Sequence, residues 1–313
     1  MTRAAGNTLV ARERRYGLAG APYLVGILNA TPDSFSDAGD HPDLAARVAR
    51  GLALRAEGAD LLDVGGESGV TNKPPVSPGE EIERVVPLIQ GLAAAGAAVS
   101  VDTYKAPVAS AAVEAGAVMV NDPSGLIDPD VAGVCADSGA ALVVTHTRAR
   151  PKEKLHRPHY DDVVDDVKRH LSERLEVARA AGVPEDRLLV CPGPDLGKDP
   201  AQTIDLLSRL DEIQALGFPV LLAVSRKDFV GALTQRRPRE RLGGTLAAIA
   251  HGLDHGAGFL RVHDVAATHD FLTVRAALRG DVSVPPDLLL ADDLRREEVE
   301  EAGRAAGKEK AVQ

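Results

Sequence analysis

Eight short apolar runs, each followed by a longer stretch of helical periodicity, constrain this chain more than any other feature. The runs are Tyr23–Leu28, Leu61–Gly65, Ala98–Asp102, Val118–Asn121, Ala141–His146, Leu188–Cys191, Val220–Ser225 and Phe259–His263. They are Leu-rich or β-branched and mostly free of polar interruptions, the pattern of strands buried on both faces. Helical stretches between them include Leu44–Ala59, Glu80–Ala95, Val163–Ala181, Thr203–Leu216 and Leu242–His255, and glycines such as Gly96, Gly139 and Gly217 mark their ends. Strand-plus-helix units running one way give an α/β fold with a parallel sheet, and eight is the number that closes a single (β/α)8 TIM barrel. The alternative is an open doubly wound sheet, but no G-x-G-x-x-G follows the first strand. Residues 1–22 are then a short N-terminal leader and 23–281 the barrel, close to the ~250 residues such a barrel needs. Residues 282–313 form a charged C-terminal tail, helical or partly disordered, in which Asp292–Glu301 suits an exposed helix.

Charge narrows the classes of function. With 46 acidic and 36 basic residues the formal net charge is −10, and only five Phe, four Tyr and no Trp are present. Such a chain has no general footprint for nucleic acid, though it can carry a local basic pocket for an anionic substrate. It contains no 18-residue apolar stretch to span a membrane, and its start lacks the apolar core of a signal peptide. Cys135 and Cys191 form no C-x-x-C or zinc pattern. A cytoplasmic location is the expectation.

In a barrel of this type the chemistry sits at the C-terminal ends of the strands. Polar residues collect there: Asn29 to Asp37 after the first strand, Asp63 to Ser68, Ser100 to Lys105, Asn121 to Gly125, Thr145 to Thr147, Ser225 to Phe229, and Arg261 to Asp264. One such cluster reads as a helix cap; seven at one rim read as a site. Asp102, Asn121 and Lys227 suit the donor and acceptor edges of a flat heterocycle. Arg261, His263 and Asn29 suit phosphate oxygens or a metal that holds them. The spacing offers no Ser–His–Asp triad, because adjacent His263 and Asp264 would face opposite sides of a strand.

The runs Asn29-Ala30-Thr31-Pro32-Asp33-Ser34-Phe35, Gly65-Gly66-Glu67-Ser68, Ser100-Val101-Asp102-Thr103, Asn121-Asp122, Ser225-Arg226-Lys227 and Arg261-Val262-His263-Asp264 together resemble the signature set of the dihydropteroate synthase family, in order, over nearly the whole barrel. The resemblance implies a transferase of folate biosynthesis. It would condense 6-hydroxymethyl-7,8-dihydropterin pyrophosphate with p-aminobenzoate, use Mg2+, release pyrophosphate and act as a homodimer. It further implies that Asn29 ligates the metal and that Asp102, Asn121, Lys227 and Arg261 hold the pterin. Arg261 and His263 would hold the leaving pyrophosphate, and Phe35, Ser225 and Leu196 would shape the aminobenzoate pocket.

The chain also departs from the family pattern. Gly69 and Val70 stand where the family has Thr-Arg, and Cys191 replaces the Asp of the sixth strand, with Asp195 four residues later. Thr145-His146-Thr147 replaces Met-His-Met and precedes a long basic segment, Arg148–His159. Asp195-Leu196-Gly197-Lys198, His146-Thr147 and Lys227-Asp228 resemble divergent second paralogues of the family. They leave open a protein that binds a pterin or another pyrophosphate-bearing heterocycle without the standard activity, or acts on a different substrate.

Overall fold

The computed structural model describes residues 8–30, 43–69, 74–153, 155 and 158–295. Its strands are β1 (Thr8–Ala11), β2 (Arg14–Gly17), β3 (Tyr23–Asn29), β4 (Leu61–Gly65), β5 (Val99–Asp102), β6 (Met119–Asp122), β7 (Ala141–Thr145), β8 (Leu188–Cys191), β9 (Leu221–Leu222) and β10 (Phe259–Val262). Its helices are α1 (Leu44–Ala56), α2 (Pro78–Ala94), α3 (Ala106–Glu114), α4 (Asp130–Ser138), α5 (Val163–Ala180), α6 (Pro200–Ser208), α7 (Leu210–Gln214), α8 (Asp228–Thr234), α9 (Leu242–Asp254) and α10 (Val265–Arg279).

The eight expected runs become the eight parallel strands of one sheet, in the order β8-β7-β6-β5-β4-β3-β10-β9. A parallel bridge between Val190 and Val220 joins the two ends, so the sheet closes into the expected barrel. Closure explains the sequence pattern: β4, β6, β7 and β8 are buried along their whole length, so no alternation of polar and apolar residues survives. Side-chain caps start the helices. Asp43 accepts from the Ala46 N–H at 2.7 Å, Ser77 from Glu80, and Asp162 from Val164 and Asp165. Asp199 and Gln202 close a reciprocal capping box on α6.

Two expectations change in detail. The stretch Thr203–Leu216 is two helices, broken at Arg209, whose guanidinium instead pairs with Asp162 and Glu212. Part of the leader is itself a structural element: β1 and β2 pair as an antiparallel hairpin. Its Leu9, Ala11 and Tyr16 pack into one apolar cluster with Val25, Leu61, Val118, Ala141, Leu189, Leu221 and Phe259, residues near the starts of the barrel strands. Tyr16 meets Tyr23 and Phe259 edge-on with ring centroids 5.0 and 5.9 Å apart, so three of the chain's few aromatics gather here. The hairpin therefore plugs the N-terminal end of the barrel. Arg12 secures it by donating to the carbonyl of Val113 at 3.0 Å.

The chain divides into two compact units, residues 1–271 and 272–313. In the second, the described part of the charged run holds one short 3-10 turn, Asp292–Leu294; residues 296–313 lie outside the described residues. No described helix is long and apolar enough to cross a membrane.

Candidate active site

Strand register builds the site. Asn29 on β3 pairs with Gly65 on β4, Gly65 with Asp102 on β5, and Asp102 with Asn121 on β6. Four strand ends thus stand in one row at the C-terminal rim, and the bare Gly65 leaves space between the Asn29 amide and the Asp102 carboxylate. A cavity of about 1020 Å³ opens above this row. Asn29, Gly69, Asp102, Asp195, Leu196 and Ser225 line it, as do Lys227, Arg261 and His263. Asn121 lies just beneath, 6% exposed, and Cys191 is buried at 3% outside the lining. Phe35 and Val70 fall outside the described residues.

The floor is a charged network. Arg261 donates from Nε to Asp63 Oδ2 and from Nη2 to Asp102 Oδ2, each at 2.6 Å, and Asn121 Nδ2 donates to the same Asp63 oxygen at 3.2 Å. The Arg261 guanidinium thus gives two of its five N–H donors to the two carboxylates. Burial pushes the Asp102 carboxyl up to about 7; Arg261 opposes the shift and the Asp63 charge adds to it. Asp63 was not singled out in the sequence. The signal was an acidic residue inside a strand that is otherwise apolar, and it is 1% exposed.

At the rim, the Ser225 hydroxyl accepts the backbone N–H of His263 at 3.1 Å and lies 3.0 Å from His263 Nδ1. An oxygen that already accepts an N–H turns its own proton toward Nδ1, which leaves Nε2–H as a neutral donor. Burial, with Arg226 and Arg261 nearby, lowers the His263 pKa to about 4, so the imidazole is uncharged at neutral pH. Lys227 lines the same rim, its pKa lowered by burial and raised in part by the Asp195 charge. Asp195 itself is held by Thr203 Oγ1 and by the Phe229 N–H, both at 3.2 Å.

The wall after β8 differs in kind. Gly193, Asp195 and Gly197 all have positive φ, at 64°, 62° and 61°. A Cβ at Gly193 would sit 1.9 Å from the His146 carbonyl oxygen, so only glycine fits there. Lys198 strings this loop together: its ammonium donates to the Gly193 and Leu196 carbonyls at 2.9 and 3.2 Å and to His146 Nδ1 at 2.7 Å. His146 Nε2 then faces Asp166 at 3.1 Å. Burial lowers Lys198 to about 7 and holds the Cys191 thiol above its ordinary value, so Cys191 is a neutral S–H. The residues Lys198, His146 and Asp166 were missed as a unit because they are 20 to 52 positions apart in sequence and meet only in the fold.

The site can hold a flat, polar heterocycle on the Asp102–Arg261 floor, with anionic groups toward Lys227 and His263. Among the described residues no group of three His, Cys, Asp or Glu side chains could hold a metal. Asn29 offers a single hard oxygen, which suits Mg2+, an ion that keeps most of its shell as water and substrate phosphate oxygens.

Comparison with known proteins agrees with this geometry. Residues 25–263 match the family model described as "Pterin binding enzyme". The chain is 41% identical over 262 residues to the dihydropteroate synthase of Mycobacterium leprae, covering 81% of this chain and 92% of that protein. It is also 41% identical over 256 residues to a probable bifunctional folylpolyglutamate synthase/dihydropteroate synthase of Haloferax volcanii, of which it spans 30%. Among solved structures, Xanthomonas albilineans dihydropteroate synthase with 4-aminobenzoic acid superposes with a TM-score of 0.82 at 44% identity, covering 90% of this chain and all of that one. The same enzyme in complex with 7,8-dihydropteroate gives 0.79, also at 44% identity.

Proposed function

The chain belongs to the family of pterin-binding enzymes and is a dihydropteroate synthase-type transferase, and from that premise we propose that it joins 6-hydroxymethyl-7,8-dihydropterin pyrophosphate to p-aminobenzoate. The observation that carries this reading is the hydrogen-bonded floor of Asp102, Arg261, Asp63 and Asn121 in a cavity also lined by Lys227 and His263.

On this reading the pterin ring lies on the floor, where Asp102 accepts from ring N–H groups and Arg261 fixes the carboxylate in place. The C–O bond to pyrophosphate breaks with its electron pair leaving on the oxygen, the arylamine nitrogen attacks the methylene, and the amine proton passes to the released pyrophosphate or to solvent. Lys227 and the His263 Nε2–H stabilise the departing oxygens. No covalent intermediate with the protein is needed; positioning and leaving-group stabilisation supply the rate. Mg2+ held at Asn29 would neutralise charge on the pyrophosphate. Leu196 and Ser225, with Phe35, would border the arylamine. A homodimer is proposed on the family resemblance, and light scattering tests it.

One observation favours a second reading, a protein retuned toward another heterocycle or one that binds without turnover. Where the family presents a carboxylate, Cys191 presents a buried neutral thiol. Losing one partner of a buried charged hydrogen bond costs about 2–5 kcal/mol. Calorimetry with the pterin pyrophosphate on wild type and Cys191→Asp separates the two. Tighter pterin binding by the variant, with faster dihydropteroate formation, is expected for the transferase reading. An unchanged or weakened affinity supports a different ligand.

A further inference from the structure

The described part of the long basic segment after β7 borders the cavity. Arg150, Pro151, Lys152 and Leu155 line the cavity, and Lys152 reaches from this segment to the one after β4. β6 and β5 stand between β7 and β4 in the sheet, so the reach crosses the ends of two strands. The Lys152 ammonium lies 3.2 Å from Glu67 Oε1 and donates to the Ser68 carbonyl. Both side chains are enclosed, 12% and 7% exposed, unlike a solvated surface pair.

Glu67 is a prepared anchor. Lys105 Nζ holds its Oε2 at 2.5 Å, the Val76 N–H donates to the same oxygen at 3.2 Å, and the Tyr104 hydroxyl stands 3.3 Å from Oε1. Lys105 is in turn paired with Glu81, which is 1% exposed. Both ends of the segment are also tied down. Arg148 Nε binds Asp166 at 3.1 Å, Tyr160 donates to the Gly197 carbonyl at 2.7 Å, and Gln202 Nε2 to the Pro158 carbonyl at 2.7 Å. Between these anchors Lys152 has φ of 67°, a left-handed backbone that a side chain disfavours and that its tie to Glu67 and Ser68 holds in place.

We propose that Lys152 is a positioning residue for the second substrate: by strapping the β7–α5 segment to the β4–α2 segment, it sets the outer wall of the cavity against which the arylamine seats. The inference rests on the transferase reading for the identity of that substrate. The floor is anchored separately, by Asp63, Asp102 and Arg261, so the strap acts on one substrate and not on the other.

The test compares wild type, Lys152→Met and Lys152→Arg in two readouts. In steady-state assays with Mg2+, Lys152→Met is expected to raise the KM for p-aminobenzoate about tenfold and to change kcat less than about threefold. Its Kd for the pterin pyrophosphate stays as in wild type, and Lys152→Arg recovers most of the loss. In amide hydrogen exchange on the free proteins, Lys152→Met accelerates exchange at residues 66–69 as well as at 148–153. Faster exchange confined to 148–153, or no change in either segment, overturns the strap whatever the activity. A pterin Kd that weakens in step with the KM overturns the selectivity for the second substrate. If wild type shows no turnover, the transferase reading fails by itself, and the exchange result still decides whether the strap exists.

Discussion

The two ends of the barrel are made by the same eight strands and could hardly differ more. At the N-terminal end the strands begin in apolar residues, and the β1–β2 hairpin closes them with Leu9, Ala11 and Tyr16 against Phe259. At the C-terminal end they finish in Asn29, Asp102, Asn121 and Arg261, and the cavity stays open. The plug gains its stability from apolar burial, which is non-directional and tolerant of its neighbours. The floor holds charges whose placement is costly unless every partner is present. The plug should thus matter to stability alone, and the floor to substrate recognition as well as to stability.

The sharpest test of this contrast is Arg261→Met. It leaves buried Asp63 and half-buried Asp102 without their shared cation, which costs about 3 kcal/mol or somewhat less once solvent screening at Asp102 is counted. Urea unfolding should report lower stability, and calorimetry should report loss of pterin binding. A variant with wild-type pterin affinity would break the account of the floor. Leu9→Ala comes next. A fully buried leucine truncated to alanine costs about 2–5 kcal/mol, and Leu9 is 1% exposed. Its unfolding midpoint should fall while the KM values of the folded enzyme stay put; a change in KM would mean the two ends are coupled.

The third test is pH. The Asp102 carboxyl is raised to about 7 in the folded protein, so it is largely protonated below that pH and becomes an acceptor above it. A ligand that presents N–H donors should therefore bind about tenfold more tightly as pH rises through this range, and Asp102→Asn should flatten the profile. The linked stability has the opposite sign. Because the folded state binds the extra proton, this group's contribution is lost as pH climbs from the ordinary carboxylate value toward 7. The smallest effect belongs to the plug. Tyr16 has a buried hydroxyl without a hydrogen-bond partner among the described residues, and burial raises its pKa to about 12. Tyr16→Phe should be neutral or stabilising by up to about 1 kcal/mol in thermal unfolding.

How much of this could be read in the chain depended on whether the signal was local. The barrel was legible because strands buried on both faces leave continuous runs such as Ala141–Thr145, and these recur. Asp102, Lys227 and Arg261 were legible because they stand at strand ends, where a barrel places its site. The hairpin was not, because two four-residue strands carry almost no periodicity, and their partners are the starts of distant strands. Asp63 escaped because a buried acid looks like any other cap residue until Arg261 is seen beside it, 198 positions away. The Lys152 reach to Ser68 spans 84 positions, and no composition rule distinguishes it from a solvated basic loop.

The most direct measurement mixes the purified protein with 6-hydroxymethyl-7,8-dihydropterin pyrophosphate, p-aminobenzoate and Mg2+, and follows pyrophosphate and 7,8-dihydropteroate together. The account predicts that both products appear in equal amounts and that each requires both substrates. Tight binding of the pterin with neither product formed, even at high enzyme concentration, would contradict it.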